Sequence, residues 1–318
     1  MIPPEFLERL KLIVPQQDLE AVLRSFSSPE ILSIRVNSLK DAVKETCSRL
    51  KIDGSLLDPV PWCPDSYQVM GMSHGEVSHH PLAAEGKIYQ QSLSSMIPVV
   101  VLDPKPGEKV LDACAAPGSK TTQIAAMMCN EGALVAVEAV KGRFFRLKSV
   151  CQLLGATIVK CKLCDVRRFH PSDEDAFDKV LVDAPCSSEG RFKSDDPESV
   201  AYWSVRKIKE MSYKQKGILM SASRLVKPGG VLVYATCTFA PEENEEVVDW
   251  FIRKSEGLFR VEEAGIAGVP VLPCLTSWGK NEYHPDVLKC LRVKPDQAYT
   301  GFFVARFKKI EEAVHDDR

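Results

Sequence analysis

The chain has no excess of charge of either sign: 41 basic residues stand against 43 acidic ones, a net charge of −2. That balance excludes a protein that coats nucleic acid non-specifically, but it leaves room for a local basic groove. Nowhere does an apolar run approach the roughly 18 residues a spanning helix needs, so no membrane association is expected. The opening Met1-Ile2-Pro3-Pro4-Glu5 lacks the basic region and apolar stretch of a signal peptide. The eleven cysteines follow no framework spacing, which fits reduced thiols in a cytoplasmic protein better than disulfides. Cys161-Lys162-Leu163-Cys164 has zinc-like spacing, but no second Cys or His pair accompanies it. No metal is expected. Internal repeats and low-complexity tracts are also lacking.

What is present reads as a globular protein of about two domains, on a prior of about 150 residues each. Of its 318 residues, 45% are hydrophobic and 26% charged. We divide it into an N-terminal module, residues 1–80, and a larger domain, residues 81–318. In the module, Phe6, Leu10, Ile13 and Val14 have helical spacing, as do Leu19, Val22, Leu23 and Phe26. Ile31 to Val36 reads as a strand, Leu39 to Leu50 as a helix, and the Pro59, Pro61, Pro64 region as rigid and extended.

From Val110 onward, short apolar runs alternate with helix-length stretches. The strands are expected at 110–112, 134–137, 157–160, 179–182 and 231–234. Lys227-Pro228-Gly229-Gly230 reads as a helix stop before the last of them, and Gly301 to Phe307 as a final, antiparallel strand. This alternation predicts an α/β fold, an open doubly wound sheet with parallel strands and crossover helices. Such sheets place their chemistry at the strand C-termini.

Two features stand at those ends. Asp112-Ala113-Cys114-Ala115-Ala116-Pro117-Gly118-Ser119-Lys120 follows the first strand. Small residues before a helix let a ligand approach the backbone and the free N–H groups of the helix start. The string is neither G-x-G-x-x-G nor a Walker A loop, so a phosphate-cradling NTPase is excluded. Glu138, Asp165 and Asp183 follow the next three strands, where a carboxylate can bind ribose hydroxyls; together they point to an adenosine-bearing cofactor. The second feature is a pair of thiols, Cys186 in Asp183-Ala184-Pro185-Cys186 and Cys237 in Thr236-Cys237-Thr238. A thiol delivered to a strand end is placed for nucleophilic attack on an electron-poor ring. With Asp183 three residues away, the residues alone favour Cys186 as the nucleophile.

Taken together, Ile34 to Lys40, Gly86 to Gln91, Asp112 to Lys120, Asp183 to Ser187, and Thr236-Cys237-Thr238 with Glu242-Glu243-Asn244-Glu245 resemble the Nop/Sun, or RsmB-like, family of RNA cytosine-C5 methyltransferases. The resemblance implies a Rossmann-like class I methyltransferase sheet behind a small α+β RNA-recognition-like domain. It implies S-adenosylmethionine as cofactor, held by Cys114, Ala115, Ala116, Pro117, Gly118, Ser119 and Lys120, by Glu138 and Arg143, and by Asp165 and Asp183. Ser119 departs from the second glycine usual in the family. The resemblance also reverses the order of the thiols: Cys237 becomes the nucleophile and Cys186 aids product release, with Asp183 bonding the cytosine N3/N4 edge. The partner implied is tRNA or rRNA, bound by a monomer with the target base unstacked. Lys87 is a further candidate for the reacting base, and Arg35, Lys40, Arg191, Lys193, Arg206, Lys207 and Lys209 are candidates for the RNA backbone. A non-catalytic RNA-binding or ribosome-assembly factor is the rival reading; it leaves Cys186, Cys237 and Asp183 without a purpose.

Overall fold

The computed structural model describes residues 2–52, 56–169 and 176–311. Two helices open the chain, α1 (Pro4–Ile13) and α2 (Gln16–Ser25). A small antiparallel sheet follows, in the order β2-β3-β1-β4, from β1 (Leu32–Val36), β2 (Leu56–Pro59), β3 (Ser66–Met70) and β4 (Ile88–Gln90). Helix α3 (Val43–Ile52) and the short α4 (His74–Ser78) and α5 (Pro81–Ala84) lie between these strands. Pro59 therefore ends an edge strand, where its missing N–H costs nothing, instead of opening an extended linker. The fourth strand comes from beyond residue 80, so the small sheet continues into the segment assigned above to the larger domain.

The small sheet and the opening helices do not share a core. Leu32, Ile34, Val36, Leu50, Val69 and Ile88 pack with one another. Phe6, Leu10, Ile13, Leu19, Val22 and Phe26 pack instead against Phe192 and Phe239 of the larger domain. The expected 1–80 division thus crosses two separate packing units.

After the buried α6 (Leu93–Leu102) comes the large sheet. Its parallel strands are β5 (Lys109–Asp112), β6 (Ala133–Glu138), β7 (Val159–Leu163), β8 (Phe177–Asp183) and β9 (Val226–Thr236). They are ordered β7-β6-β5-β8-β9, with helices α7 (Ser119–Met127), α8 (Lys141–Leu153) and α9 (Val205–Ser223) in the connections. The central strands are apolar throughout because both faces are covered: Val180, Leu181 and Val182 are all buried. After α10 (Glu245–Lys254) come β10 (Phe259–Glu262), β11 (Val271–Leu272), the β12 (Ser277–Trp278) and β13 (Asn281–Glu282) hairpin, β14 (Leu291–Val293) and β15 (Phe302–Lys309). Strand β15 runs antiparallel beside β9, as expected.

Two boundaries move. β7 starts two residues later than its apolar run suggests, because Thr157 N–H is taken by Asn130 Oδ1 at 3.0 Å rather than by the ladder. Lys227 to Gly230 lies inside β9 as a bulge, the register with β8 shifting between Phe177 and Lys179. The chain reverses direction about β5, between β6 on one side and β8 on the other. That switch point is where an open α/β sheet binds its ligand.

Candidate active site

Cys186 and Cys237 leave neighbouring parallel strands, where Asp183 lies beside Ala235 in the register. Their sulfurs stand 3.2 Å apart, and Cys237 N–H donates to Cys186 Sγ at 3.4 Å. Beside them sits Ser188, whose φ of 61° lies in the left-handed region that non-glycine residues seldom occupy. That turn brings Ser188 Oγ to 3.6 Å from Cys237 Sγ and 3.9 Å from Cys186 Sγ. The thiols titrate in opposite directions. Hydrogen bonding from Cys186, joined by Ser188 and the Arg191 charge, outweighs burial and pulls the Cys237 thiol down to about 7. Cys186 is pushed up by that same bond to Cys237 and by its burial. Near neutral pH Cys237 therefore ionises while Cys186 keeps its proton.

Two buried carboxyl groups tie the loops carrying these thiols. Glu189 accepts from Trp203 Nε1 (2.8 Å), Thr238 Oγ1 (2.8 Å) and Phe239 N (3.1 Å). Glu243 accepts from Ser187 N (3.0 Å) and from Gln215 Nε2 (2.7 Å), whose amide also donates to Pro185 O at 2.9 Å. Burial raises both carboxyls, Glu243 to about 8. The rest of the acidic run is equally engaged. Glu242 pairs with Arg9 at 2.7 Å, and Glu245 pairs with the buried Arg292 at 2.6 Å. Asn244 accepts from Thr236 Oγ1 and donates to Thr238 O. Behind the loops, Phe6 packs edge-on against Phe192 at 5.0 Å, and Phe26 against Phe239 at 6.1 Å.

The cofactor corner lies across the switch point. Gly118, at φ 113°, caps α7 with no side-chain partner for the N–H groups of the first turn. A Cβ there would stand 3.2 Å from Val150 and 3.3 Å from Leu147, so only glycine keeps both the turn and the packing. Ser119 is already helical and needs no such freedom, which is why serine replaces a glycine there without distortion. Ala115 and Ala116 are buried, Cys114 and Ser119 half-buried, and Pro117 exposed. Glu138 is buried and accepts from Val140 N at 2.8 Å, while Arg143 donates to Ala116 O at 2.6 Å. Asp165 is bound by Arg167, which holds its carboxyl below the usual range. One oxygen of the buried Asp112 has no partner, and burial lifts that carboxyl to about 7. Open helix N–H groups, carboxylates at successive strand ends and an unpaired buried oxygen fit a cationic sulfonium ligand carrying ribose and amino-acid groups.

The Lys120 side chain has a further part. Its Nζ bonds Asp183 Oδ2 at 2.7 Å and Ser95 Oγ at 3.0 Å, so it links the cofactor loop to the thiol loop. One basic candidate is corrected. Arg35 is buried and donates to Thr122 Oγ1 at 2.9 Å, joining the small sheet to α7; it cannot reach RNA. Lys87 is held by Asp41 (2.9 Å) and Glu85 (3.2 Å). Arg191, Arg206 and Lys209 are exposed. Ser188, Glu189, Gln215 and Glu243 escape a reading of the residues. The signal was the acidic run after Thr238, which looks like ordinary charge at a helix start.

A sheet ordered β7-β6-β5-β8-β9 with an antiparallel strand beside it and a ligand loop after β5 defines a class I, S-adenosylmethionine-dependent methyltransferase. The comparisons narrow the class. The family model of the 16S rRNA methyltransferases RsmB/F matches residues 99–308, and that of the RsmF N-terminal domain matches residues 2–93. The chain belongs to this family of RNA methyltransferases. It is 39% identical over 285 residues to the tRNA (cytosine(49)-C(5))-methyltransferase of Pyrococcus abyssi, covering 87% of this chain and 88% of that one. It is 35% identical over 317 residues to the ribosomal RNA small subunit methyltransferase F of Aeromonas hydrophila, covering 97% of this chain but only 64% of the relative. The structure of a methyltransferase homolog from Pyrococcus horikoshii matches with a TM-score of 0.81 at 29% identity, over 97% of this chain and 100% of that one.

Proposed function

We propose that the protein methylates carbon 5 of a cytosine in RNA, with Cys237 as nucleophile, Cys186 as the releasing group and Asp183 at the base edge. The observation that carries this reading is the thiol pair, 3.2 Å apart and titrating in opposite directions. Cytosine carbon 5 is too weak a nucleophile to take a methyl group unaided. The Cys237 thiolate adds to carbon 6, and the electron pair moves to carbon 5, which becomes nucleophilic. S-adenosylmethionine supplies the electrophilic methyl group. The Asp183 carboxylate, steadied by Lys120, can accept from the N4 amino group, and the pair can exchange a proton at that edge as charge develops.

Bonding to carbon 6 removes the charge of Cys237. The interaction that keeps the Cys186 proton in place then disappears, so Cys186 becomes able to ionise, its proton passing to solvent. It takes the carbon 5 proton, the C–H electron pair restores the ring double bond, and the bond from Cys237 to carbon 6 breaks with its electrons returning to sulfur.

The better coverage of the tRNA relative supports tRNA as substrate, acted on by a cytosolic monomer. Among the described residues no helix is long and apolar enough to cross a membrane. The test supplies radiolabelled methyl donor with unfractionated tRNA or with 16S rRNA, followed by nucleoside analysis. Label in 5-methylcytidine from tRNA is expected; label in neither RNA, with the donor shown to bind, overturns the reading.

A further inference from the structure

The segment from Ala139 to Cys164 contains Lys141, Arg143, Arg146, Lys148, Lys160 and Lys162 and no acidic residue. In a chain whose net charge is −2, the remainder therefore carries −8. Arg143 is committed to the cofactor corner. The other five are exposed, and none of them joins an ion pair among the described residues. This differs from Lys87, Lys179, Lys216, Lys227 and Lys294, each of which is matched to a carboxylate.

Lys141, Arg146 and Lys148 ring the solvent side of α8, whereas Lys160 and Lys162 flank the α8-facing Cys161 on β7 and project from the other side of the sheet. Lys148 on α8 lies close enough to β7 for its charge to act on the Cys161 thiol. Arg146 acts in the same way on Tyr89 of β4, so the face reaches the small sheet. At the C-terminal end of α8, the Lys40 stem lies over Gly155, its Cε 3.0 Å from where a glycine Cβ would be. Asn37 fastens the small sheet there by donating to Leu154 O at 2.8 Å. Amid these charges Phe145 is 53% exposed and meets Phe144 edge-on at 5.7 Å.

Lysines on an edge strand such as β7 can serve only to prevent pairing with another chain. That explanation does not extend to α8, whose cations have the same sign and no edge to protect. A run of unpaired cations around an exposed ring matches the chemistry of an RNA strand, phosphates for the cations and a base for the ring.

We propose that the solvent side of α8, continued by Lys40, is a docking surface for the RNA outside its target nucleotide. This rests on the RNA-methyltransferase reading above. Arg143, bonded to Ala116 O, makes the face continuous with the cofactor loop.

The test uses the full chain, fluorescein-labelled unfractionated tRNA and a K40Q/R146Q/K148Q variant. These side chains are exposed, so their replacement leaves folding and cofactor affinity unchanged. The expected result is a Kd for tRNA weaker by about tenfold or more, with a salt slope smaller by about 2 to 3, roughly one for each lost phosphate contact. At saturating RNA, kcat is retained and KM rises. K105Q/K254Q/K280Q, with the same change of net charge elsewhere on the surface, is expected to bind nearly as the parent does. An unchanged Kd and slope in the first variant overturns the surface, as does an equal loss in the second. A face that binds anionic vesicles while tRNA affinity is untouched also overturns it. If the parent chain binds no RNA at all, the functional reading falls with it.

Discussion

Ser188 accepts an uncommon backbone conformation to place its hydroxyl against both thiols. Ser188→Ala is expected to shift the pH midpoint of Cys237 alkylation by iodoacetamide upward from about 7, because a donor to the thiolate is lost. Ser188→Gly relieves the backbone and removes the same hydroxyl, so it should shift the midpoint equally. A shift in the alanine variant alone would mean that backbone strain, not the hydroxyl, sets the titration. The order of the thiols was not legible from local sequence. Asp183 lies near Cys186 along the chain, yet its carboxylate is held by Lys120, and its charge opposes ionisation of Cys237. What lowers Cys237 is Cys186 itself, 51 positions away. Only the sheet register brings that group to it.

At the scale of elements, α1 and α2 act as a brace behind both thiol loops. Phe6 is buried and contacts Phe192, Trp203 and Phe239. Phe6→Ala is expected to cost about 3–5 kcal/mol in urea unfolding, the usual price of removing a buried phenyl ring. It should also slow Cys237 alkylation at fixed pH by letting the loops shift; Phe6→Leu, which keeps most of the volume, should do less of both. A loss under about 1 kcal/mol for Phe6→Ala would contradict the brace. The helical spacing of Phe6, Leu10 and Ile13 shows an apolar stripe but not its partner. For that reason the helices were grouped with the small sheet, although they pack on the larger domain. The β5-to-β9 alternation was legible because buried parallel strands are apolar throughout. β3 and β4 were missed: their half-polar sequences, Ser66 to Met70 and Ile88 to Gln90, carry no such run.

For the whole molecule, the buried carboxyls set the pH response. Glu243 rises from 4.5 to about 8 and Asp112 from 3.8 to about 7 on folding. Both hold their protons more tightly when folded. Their contribution is full below the unfolded values and is lost as pH rises through about 7 to 8. Asp165, Asp178 and Glu262 shift the other way, and they cost stability only as the solution becomes strongly acidic. Unfolding free energy should therefore decline between pH 5 and 8, and Glu243→Gln should flatten that decline while keeping the acceptor for Ser187 N–H. Parallel pH curves for the two proteins would count against a neutral, buried Glu243.

The central claim is the division of labour between the thiols, and a denaturing gel of protein incubated with methyl donor and tRNA tests it most directly. Cys186→Ala is expected to accumulate a slow-migrating, RNase-sensitive protein–RNA band, because Cys237 still attacks while release fails. Cys237→Ala and the double variant should show none. A band in Cys237→Ala that is absent in Cys186→Ala would contradict the assignment.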